Sequence, residues 1–216
     1  MSRAVAELLA DPLLPERLSE LRQAFDTEQQ RRERFYEEIT EQEKAEFING
    51  EVVMHSPARD KHTATRHRLE RAMSIFCDSR ALGSVRGEKA LCVFPRNDYE
   101  PDVVFFGPAK AALIEPDTLR FPIPDFICEV LSESTEPRDR GVKFRDFEAH
   151  GVGEYWLIDP EQEIVEQYLP REGRYVLALM SGSGEVASAV VPGFRIPIRA
   201  LFDDAENLQL LRTLLA

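Results

Sequence analysis

The spacing of apolar residues changes several times along the chain, and these changes predict alternating strands and helices. Two short apolar runs flank Asn49-Gly50, the strongest short signal for a β-hairpin. From 60 to 81 the apolar residues recur every three or four positions, which predicts a helix. Strands are predicted at 84–94, 99–106 and 123–131, and the second ends in a continuous apolar run, 103–106, typical of a strand buried on both faces. A helix at 136–150 and a strand at 152–158 follow.

The two ends of the chain have patterns of their own. Residues 1–44 combine scattered leucines with many charges, and Pro12 and Pro15 predict a short helix, a break and then a longer helix. Beyond residue 160, runs at 163–169, 174–180 and 185–191 predict antiparallel strands, followed by a short strand and a helix at 205–215. The whole pattern predicts an α/β fold, a mixed sheet with helices on its faces. We divide the chain into an N-terminal helical extension, 1–35, and one domain, 36–216.

Composition fits an ordinary globular protein, with 216 residues of which 43% are hydrophobic and 31% charged. No apolar run approaches the roughly 18 residues that span a bilayer, and the N-terminal segment lacks a signal-peptide pattern, so we expect a cytoplasmic protein. The cysteines, Cys77, Cys92 and Cys128, are odd in number and widely spaced. The sequence has no CxxC pair, which argues against a zinc site, and the odd number fits a reducing compartment.

The net charge of −12 argues against nucleic-acid binding, because neutralisation of phosphates supplies much of that affinity. Two considerations weaken the objection. A carboxylate-rich metal site is acidic by design. Local basic clusters can also matter more than the total charge, and Arg138, Arg140, Lys143 and Arg145 form such a cluster in the sequence.

Two acids lie within or beside predicted core strands. Asp102 directly precedes the apolar run 103–106, and Glu129 lies inside the run 126–131. A carboxylate is costly to bury unless it binds something, although a strand edge or a salt bridge can explain a single one. If the two strands are neighbours, both carboxylates can point to one spot, where a divalent cation such as Mg²⁺ or Mn²⁺ would relieve their repulsion.

Lys143 and His62 are further candidates. Lys143 follows the Glu129 strand closely enough to return toward the strand end, where its amine could orient an attacking water or stabilise developing negative charge. The alternative is a helix lysine that faces solvent. His62, near a predicted helix start, is more often a surface or capping residue than a functional one. Tyr155 and Trp156 are expected to be core aromatics.

Several motifs together resemble the restriction-endonuclease-like superfamily. Pro101-Asp102 and Glu129 match its PD…(D/E)-x-K signature, except that Leu131 occupies the usual lysine position. The chain is similar to the Uma two family, also called domain of unknown function 820, over roughly residues 36–202. The matching stretches are 129–132, 138–143 and 154–160, with Asn49-Gly50-Glu51, Ser56-Pro57 and His62.

The resemblance implies a restriction-endonuclease-like mixed sheet and a metal-dependent endonuclease that hydrolyses DNA. It implies Asp102, Glu129 and Lys143 as the catalytic set, with Lys143 taking the role of the missing strand lysine. Glu51 is expected to join Asp102 and Glu129 as a metal ligand, and a homodimer is expected because such nucleases often cut both strands. Two alternatives stay open: a catalytically idle module that binds nucleic acid or protein, and a hydrolase of another phosphoester.

Overall fold

The computed structural model of the chain describes residues 3–40 and 43–215. The α-helices are α1 (Arg3–Leu9), α2 (Leu14–Glu38), α3 (Asp60–Asp78), α4 (Pro108–Ala111), α5 (Glu136–Arg138), α6 (Phe144–Ala149) and α7 (Asp204–Leu215). The strands are β1 (Ala45–Ile48), β2 (Glu51–Met54), β3 (Ser84–Gly87), β4 (Leu91–Val93), β5 (Asp98–Tyr99), β6 (Val103–Phe106), β7 (Arg120–Phe121), β8 (Phe126–Val130), β9 (Glu154–Asp159), β10 (Ile164–Arg171), β11 (Arg174–Ser181), β12 (Glu185–Ala187) and β13 (Arg195–Pro197). In the described parts of the chain, no helix is both long and apolar enough to cross a membrane.

The central sheet has the strand order β11-β10-β9-β8-β6-β3. Strands β8 and β9 are parallel and are joined by a helical crossover, whereas the other neighbours are antiparallel. Helix α3 packs on one face of this sheet together with α7, and Phe147 of α6 packs on the other. The predicted mixed α/β fold, with a sheet flanked by helices, is confirmed.

The β1–β2 hairpin belongs to a second sheet, with the order β2-β1-β5-β4-β7. The turn of this hairpin is Asn49-Gly50, and both residues have positive φ, 51° and 86°. Asparagine and glycine tolerate that conformation best, which is why this dipeptide favours the two-residue turn. The predicted hairpin and the predicted helix from residue 60 are both confirmed, although the helix ends at Asp78.

Side chains of β6 alternate between two buried layers. Val103 and Phe105 pack with α3, and Val104 and Phe106 pack in the layer that contains Phe147. Both layers are sealed from solvent, as the continuous apolar run predicts. The aromatic residues of β9 are buried as well, which confirms the structural role predicted for them.

Two predicted strands are wrong in extent, because each divides between the two sheets. The run 84–94 forms β3 and β4, and the run 99–106 forms β5 and β6. Pro101 has no N–H to donate to a ladder, so the chain leaves one sheet there and enters the other two residues later. This crossing places Asp102 at the junction of the sheets.

The predicted helix 136–150 is divided by a π-helical turn, Asp139–Lys143, between α5 and α6. Both end residues of this turn are buried. Such insertions in helices often occur at functional sites, and here the turn directs Lys143 inward instead of toward solvent.

At the two chain ends, the structure shows the expected elements with some differences. The N-terminal segment is helical, with the break near Pro12, and Arg32 and Phe35 of α2 are buried against the body. The boundary drawn at 35/36 falls inside this helix. Beyond residue 160, β10 and β11 form the expected hairpin, whereas β12 is shorter than predicted and pairs with β13. The final helix is α7.

Candidate active site

Asp102 and Glu129 lie side by side where β6 begins and β8 ends. These strands are antiparallel, with Val103 opposite Cys128. The backbone N–H of Asp102 donates to Glu129 Oε2 (3.3 Å), and the N–H of Val130 donates to Asp102 Oδ2 (2.9 Å). Each carboxylate therefore accepts from the other's strand, and both are buried.

Lys143 lies among these two acids, Glu46 and Asp139, which together form what we call the acid cluster. Its side chain is only 2% exposed. Its Nζ lies 2.8 Å from Glu129 Oε1, 2.8 Å from Glu46 Oε1 and 3.4 Å from Asp139 Oδ1. Because the two glutamate oxygens share one nitrogen neighbour, they are at most 5.6 Å apart, twice 2.8 Å. The interpretation of Lys143 as a solvent-facing helix lysine is excluded.

The hairpin acid in this cluster is Glu46, and the expectation for Glu51 requires correction. Glu51 is exposed at the start of β2 and pairs with Arg31 (2.9 Å). Glu46 is fully buried in β1 and accepts from the backbone N–H of Glu100 (3.0 Å) as well as contacting Lys143. The signal that could have identified Glu46 is the one applied to Glu129, an acid inside an apolar strand run.

Three further basic side chains border the acids. Lys44 Nζ lies 3.2 Å from Asp102 Oδ1, and His62 Nε2 lies 3.2 Å from Asp102 Oδ2. His55 Nε2 lies 3.1 Å from Glu46 Oε2. His62 thus faces the acid cluster from the first turn of α3. Lys44 and His55 carried no signal in the sequence, because hairpin pairing brings them to the site.

Burial and the neighbouring opposite charges shift the pKa values of these groups in opposite directions. Burial raises the pKa of Glu129 well above its ordinary value, despite the attraction of Lys143. For Glu46, burial also acts upward, but Lys143 and His55 overcome it and lower the pKa to about 2. For Asp102, burial is likewise outweighed, by His62 and Lys44, and the pKa is lowered. Burial alone would lower the pKa of Lys143, yet its surrounding carboxylates, Glu129 foremost, raise it well above the usual range.

The basic cluster seen in the sequence, Arg138, Arg140, Lys143 and Arg145, is divided between the interior and the surface. Lys143 is inside the acid cluster, and Arg145 is exposed on α6. The two terminal nitrogens of Arg140, Nη1 and Nη2, donate to the carboxylate of Glu166 at 2.8 and 2.6 Å, and its Nε donates to Glu136. Two of the four positive charges, those of Arg140 and Lys143, are therefore paired with neighbouring carboxylates.

The mixed sheet flanked by helices has the architecture of the restriction-endonuclease-like fold class. The family model Uma2, described as "Putative restriction endonuclease", matches residues 31–199, and the chain belongs to this family. Among solved structures, it is similar to a putative nuclease of domain of unknown function 820 from Anabaena variabilis ATCC 29413, with a TM-score of 0.67 and 20% identity over 82% of this chain and 96% of that one. No curated protein matches the chain.

Proposed function

We propose that this protein is a metal-dependent endonuclease that hydrolyses phosphodiester bonds in DNA. The observation that carries the proposal is the convergence of three acids from separate strand segments: Glu46 and Glu129 both contact Lys143, and Asp102 lies beside Glu129. Collecting buried carboxylates costs free energy, and buried ion pairs are weak evidence for a purely stabilising role. A function that needs concentrated negative charge explains the cluster better, and the family and fold point to nucleic-acid cleavage.

The residue types fit a hard divalent cation such as Mg²⁺ or Mn²⁺, which prefers carboxylate oxygens. Glu46, Asp102 and Glu129 would hold it, and Glu46 Oε2 is a buried oxygen whose basic neighbour is His55 Nε2 at 3.1 Å. Across residues 3–40 and 43–215, no group of three or more His, Cys, Asp or Glu side chains is already arranged as a ligand set. Lys143, between Glu46 and Glu129, occupies the space where such a set would assemble.

The chain's own residues then have distinct tasks. When bound, a divalent cation supplies Lewis-acid polarisation of a phosphoryl oxygen and a more acidic water. Lys143 keeps Glu46 and Glu129 oriented, because its Nζ contacts an Oε1 atom of each. His62 and the amide of Val130 fix the orientation of Asp102 through their contacts with Oδ2.

We also propose that two copies act together, since a duplex has two strands to cut. The apolar side chains of Leu18, Leu21 and Phe25 support a contact between copies. They follow helical spacing on one face of α2 and are 40%, 55% and 49% exposed.

The test is cleavage of supercoiled plasmid and of labelled DNA and RNA oligonucleotides with Mg²⁺, Mn²⁺ or EDTA. The parent protein is expected to cut DNA only with metal. Asp102→Asn and Glu129→Gln keep side-chain size but remove charge, and each is expected to reduce the rate at least about 100-fold. A panel of small phosphoesters separates DNA cleavage from hydrolysis of another phosphoester.

A catalytically idle nuclease-fold module is the second candidate. It is favoured by the net charge of −12 and by the absence of an assembled ligand set within the described residues. A parent protein that cuts neither DNA nor RNA nor any small phosphoester with either metal, while it stays folded, would favour this candidate over the endonuclease.

A further inference from the structure

Two lysines reach the acid cluster, and they differ in how many of their N–H donors the protein uses. A lysine ammonium has three donors. Lys143 faces three carboxylates, so its donors are engaged within the protein. Lys44, within the part of the chain that the structure describes, contacts a single carboxylate oxygen, Oδ1 of Asp102 at 3.2 Å.

The two lysines also differ in access to solvent. The Lys143 side chain is 2% exposed, whereas that of Lys44 is 17% exposed. Lys44 directly precedes β1 and is two residues before Glu46, so the alternation of a strand places both side chains on the same face of the hairpin. The backbone of Lys44 is held there, because its carbonyl accepts from the N–H of His55 (3.0 Å). Lys44 therefore lies at the outer side of the cluster.

The position that carries lysine in the superfamily signature cannot supply an amine here. Leu131 occupies it, is 5% exposed and packs in an apolar layer with Phe147 and Leu157. A substrate phosphate that approaches Asp102 from solvent would meet Lys44 before it could meet Lys143. An ammonium with unused donors suits a phosphate oxygen, which accepts charge-assisted hydrogen bonds.

We propose that Lys44 is the lysine that contacts the scissile phosphate, and that Lys143 is a positioning residue that holds Glu46 and Glu129. This assignment rests on the proposed endonuclease function. It gives Lys44 the contact with a non-bridging phosphate oxygen, while Lys143 acts only through the carboxylates that it orients.

The experiment compares Lys44→Met, Lys44→Arg and Lys143→Met with the control Lys110→Met. Lys110 pairs with Asp125 just before β8, at the opposite end of β6 and β8 from Asp102, and its removal changes the net charge equally. DNA affinity is measured by fluorescence anisotropy with Ca²⁺ at several salt concentrations, and single-turnover cleavage is measured with Mg²⁺. Mn²⁺ affinity is measured by calorimetry on the same proteins.

Loss of one phosphate contact predicts a weaker DNA affinity and a salt dependence reduced by about one charge for Lys44→Met alone. Its cleavage rate is expected to fall about 100-fold, and Lys44→Arg is expected to recover most of that loss. Its Mn²⁺ affinity is expected to change less than that of Lys143→Met, because Lys44 contacts one proposed ligand and Lys143 contacts two. Lys143→Met is expected to change Mn²⁺ affinity and thermal stability and to leave the salt dependence of DNA binding unchanged.

The assignment is overturned if Lys44→Met binds DNA and cuts it like Lys110→Met, or if the salt dependence changes only in Lys143→Met. A parent protein that binds DNA but does not cut it refutes the endonuclease proposal instead. In that case the affinity and salt measurements still decide whether Lys44 contacts phosphate.

Discussion

Glu46 Oε1 lies 2.8 Å from Lys143 Nζ, and neither side chain is more than 2% exposed. The contact joins the hairpin sheet, which carries Glu46, to the crossover that links β8 and β9 of the central sheet. The acid cluster is therefore built between two sheets, with β6 and β8 contributing one pair of acids and β1 a third. A change in any of these segments is expected to alter the site as a unit.

Glu46 and Glu51 offer a matched pair for testing which hairpin acid serves the site. Glu46→Gln is expected to reduce metal-dependent DNA cleavage at least about 100-fold, because a ligand charge and the partner of Lys143 are lost together. Glu51→Gln, on the same hairpin but exposed, is expected to cleave like the parent protein. Single-turnover rates of the two variants decide the matter. Equal rates would remove Glu46 from the proposed mechanism.

Elements with a strong turn signal, a long stretch of periodic apolar positions or a continuous apolar run could be predicted from the sequence. The hairpin at Asn49-Gly50, the helix from residue 60 and the buried strands around residues 103–106 and 126–130 follow from local patterns. The division of 99–106 between two sheets could not be predicted, because an apolar run does not indicate which strands pair with it. Pro101 was the local signal for that division.

Part of the site could also be predicted. Asp102 and Glu129 were identifiable because a charge in or beside an apolar strand run is unusual. Glu51 was expected from its match to the family motif, whereas Glu46 was not identified from the sequence. Lys44 and His55 have nothing unusual in their local sequence, and only the pairing of β1 with β2 brings them to the acids. The π-helical turn that buries Lys143 was likewise not visible in the helical periodicity.

Lys143→Met tests whether the acids depend on this lysine in the absence of metal. Removing one partner from a buried charge cluster typically costs about 3–5 kcal/mol, because the remaining charges lose their compensation. The variant is expected to unfold at a lower temperature than the parent in EDTA. Saturating Mn²⁺ is expected to raise its melting temperature more than that of the parent, since a cation can replace the lost positive charge. A variant as stable as the parent in EDTA would contradict this account.

Arg32 is expected to anchor the end of α2 to the body. Its guanidinium donates to both carboxylate oxygens of Asp98, at 2.6 and 2.8 Å, and both residues are buried. Arg32→Ala is therefore expected to destabilise the protein by about 3–5 kcal/mol. The neighbouring Arg31→Ala removes an exposed pair with Glu51 and is expected to cost at most about 1 kcal/mol. Urea unfolding of both variants measures the difference, and equal midpoints would refute the anchoring role.

The N-terminal segment is expected to be dispensable for folding up to residue 30. Between residues 3 and 30 no side chain is buried, and the ion pair of Glu28 with Arg96 is exposed on the Arg96 side. Deletion of residues 1–30 should leave a single cooperative thermal transition, whereas deletion of 1–36 removes Arg32 and Phe35 and should lower the melting temperature markedly.

The same deletion tests the proposed contact between copies, because it removes Leu18, Leu21 and Phe25. Sedimentation is expected to show two copies for the full chain and one for the chain lacking residues 1–30. A cooperative transition lost in the shorter deletion would contradict the folding prediction, while unchanged sedimentation would contradict only the contact through α2.

Glu166 provides a test of pH dependence away from the acid cluster. It accepts from Arg140 at both oxygens and from Tyr168 Oη at 2.6 Å. The Arg140 hydrogen bonds hold the pKa of Glu166 below its ordinary value, although burial opposes them. Since the folded pKa is lower than the unfolded one, the stabilisation is present above the unfolded pKa and is lost as the pH falls through the folded pKa.

Glu166→Gln is expected to cost about 1–3 kcal/mol of folding stability at pH 7, in the range of hydrogen bonds to charged groups. The difference from the parent should shrink below about pH 4, near the ordinary glutamate pKa. Glu163→Gln, which removes the exposed pair with Arg199, serves as the control and should change little at either pH. Urea unfolding across this range measures both, and a destabilisation by Glu166→Gln that stays constant to pH 3 would show that packing, not charge, is responsible.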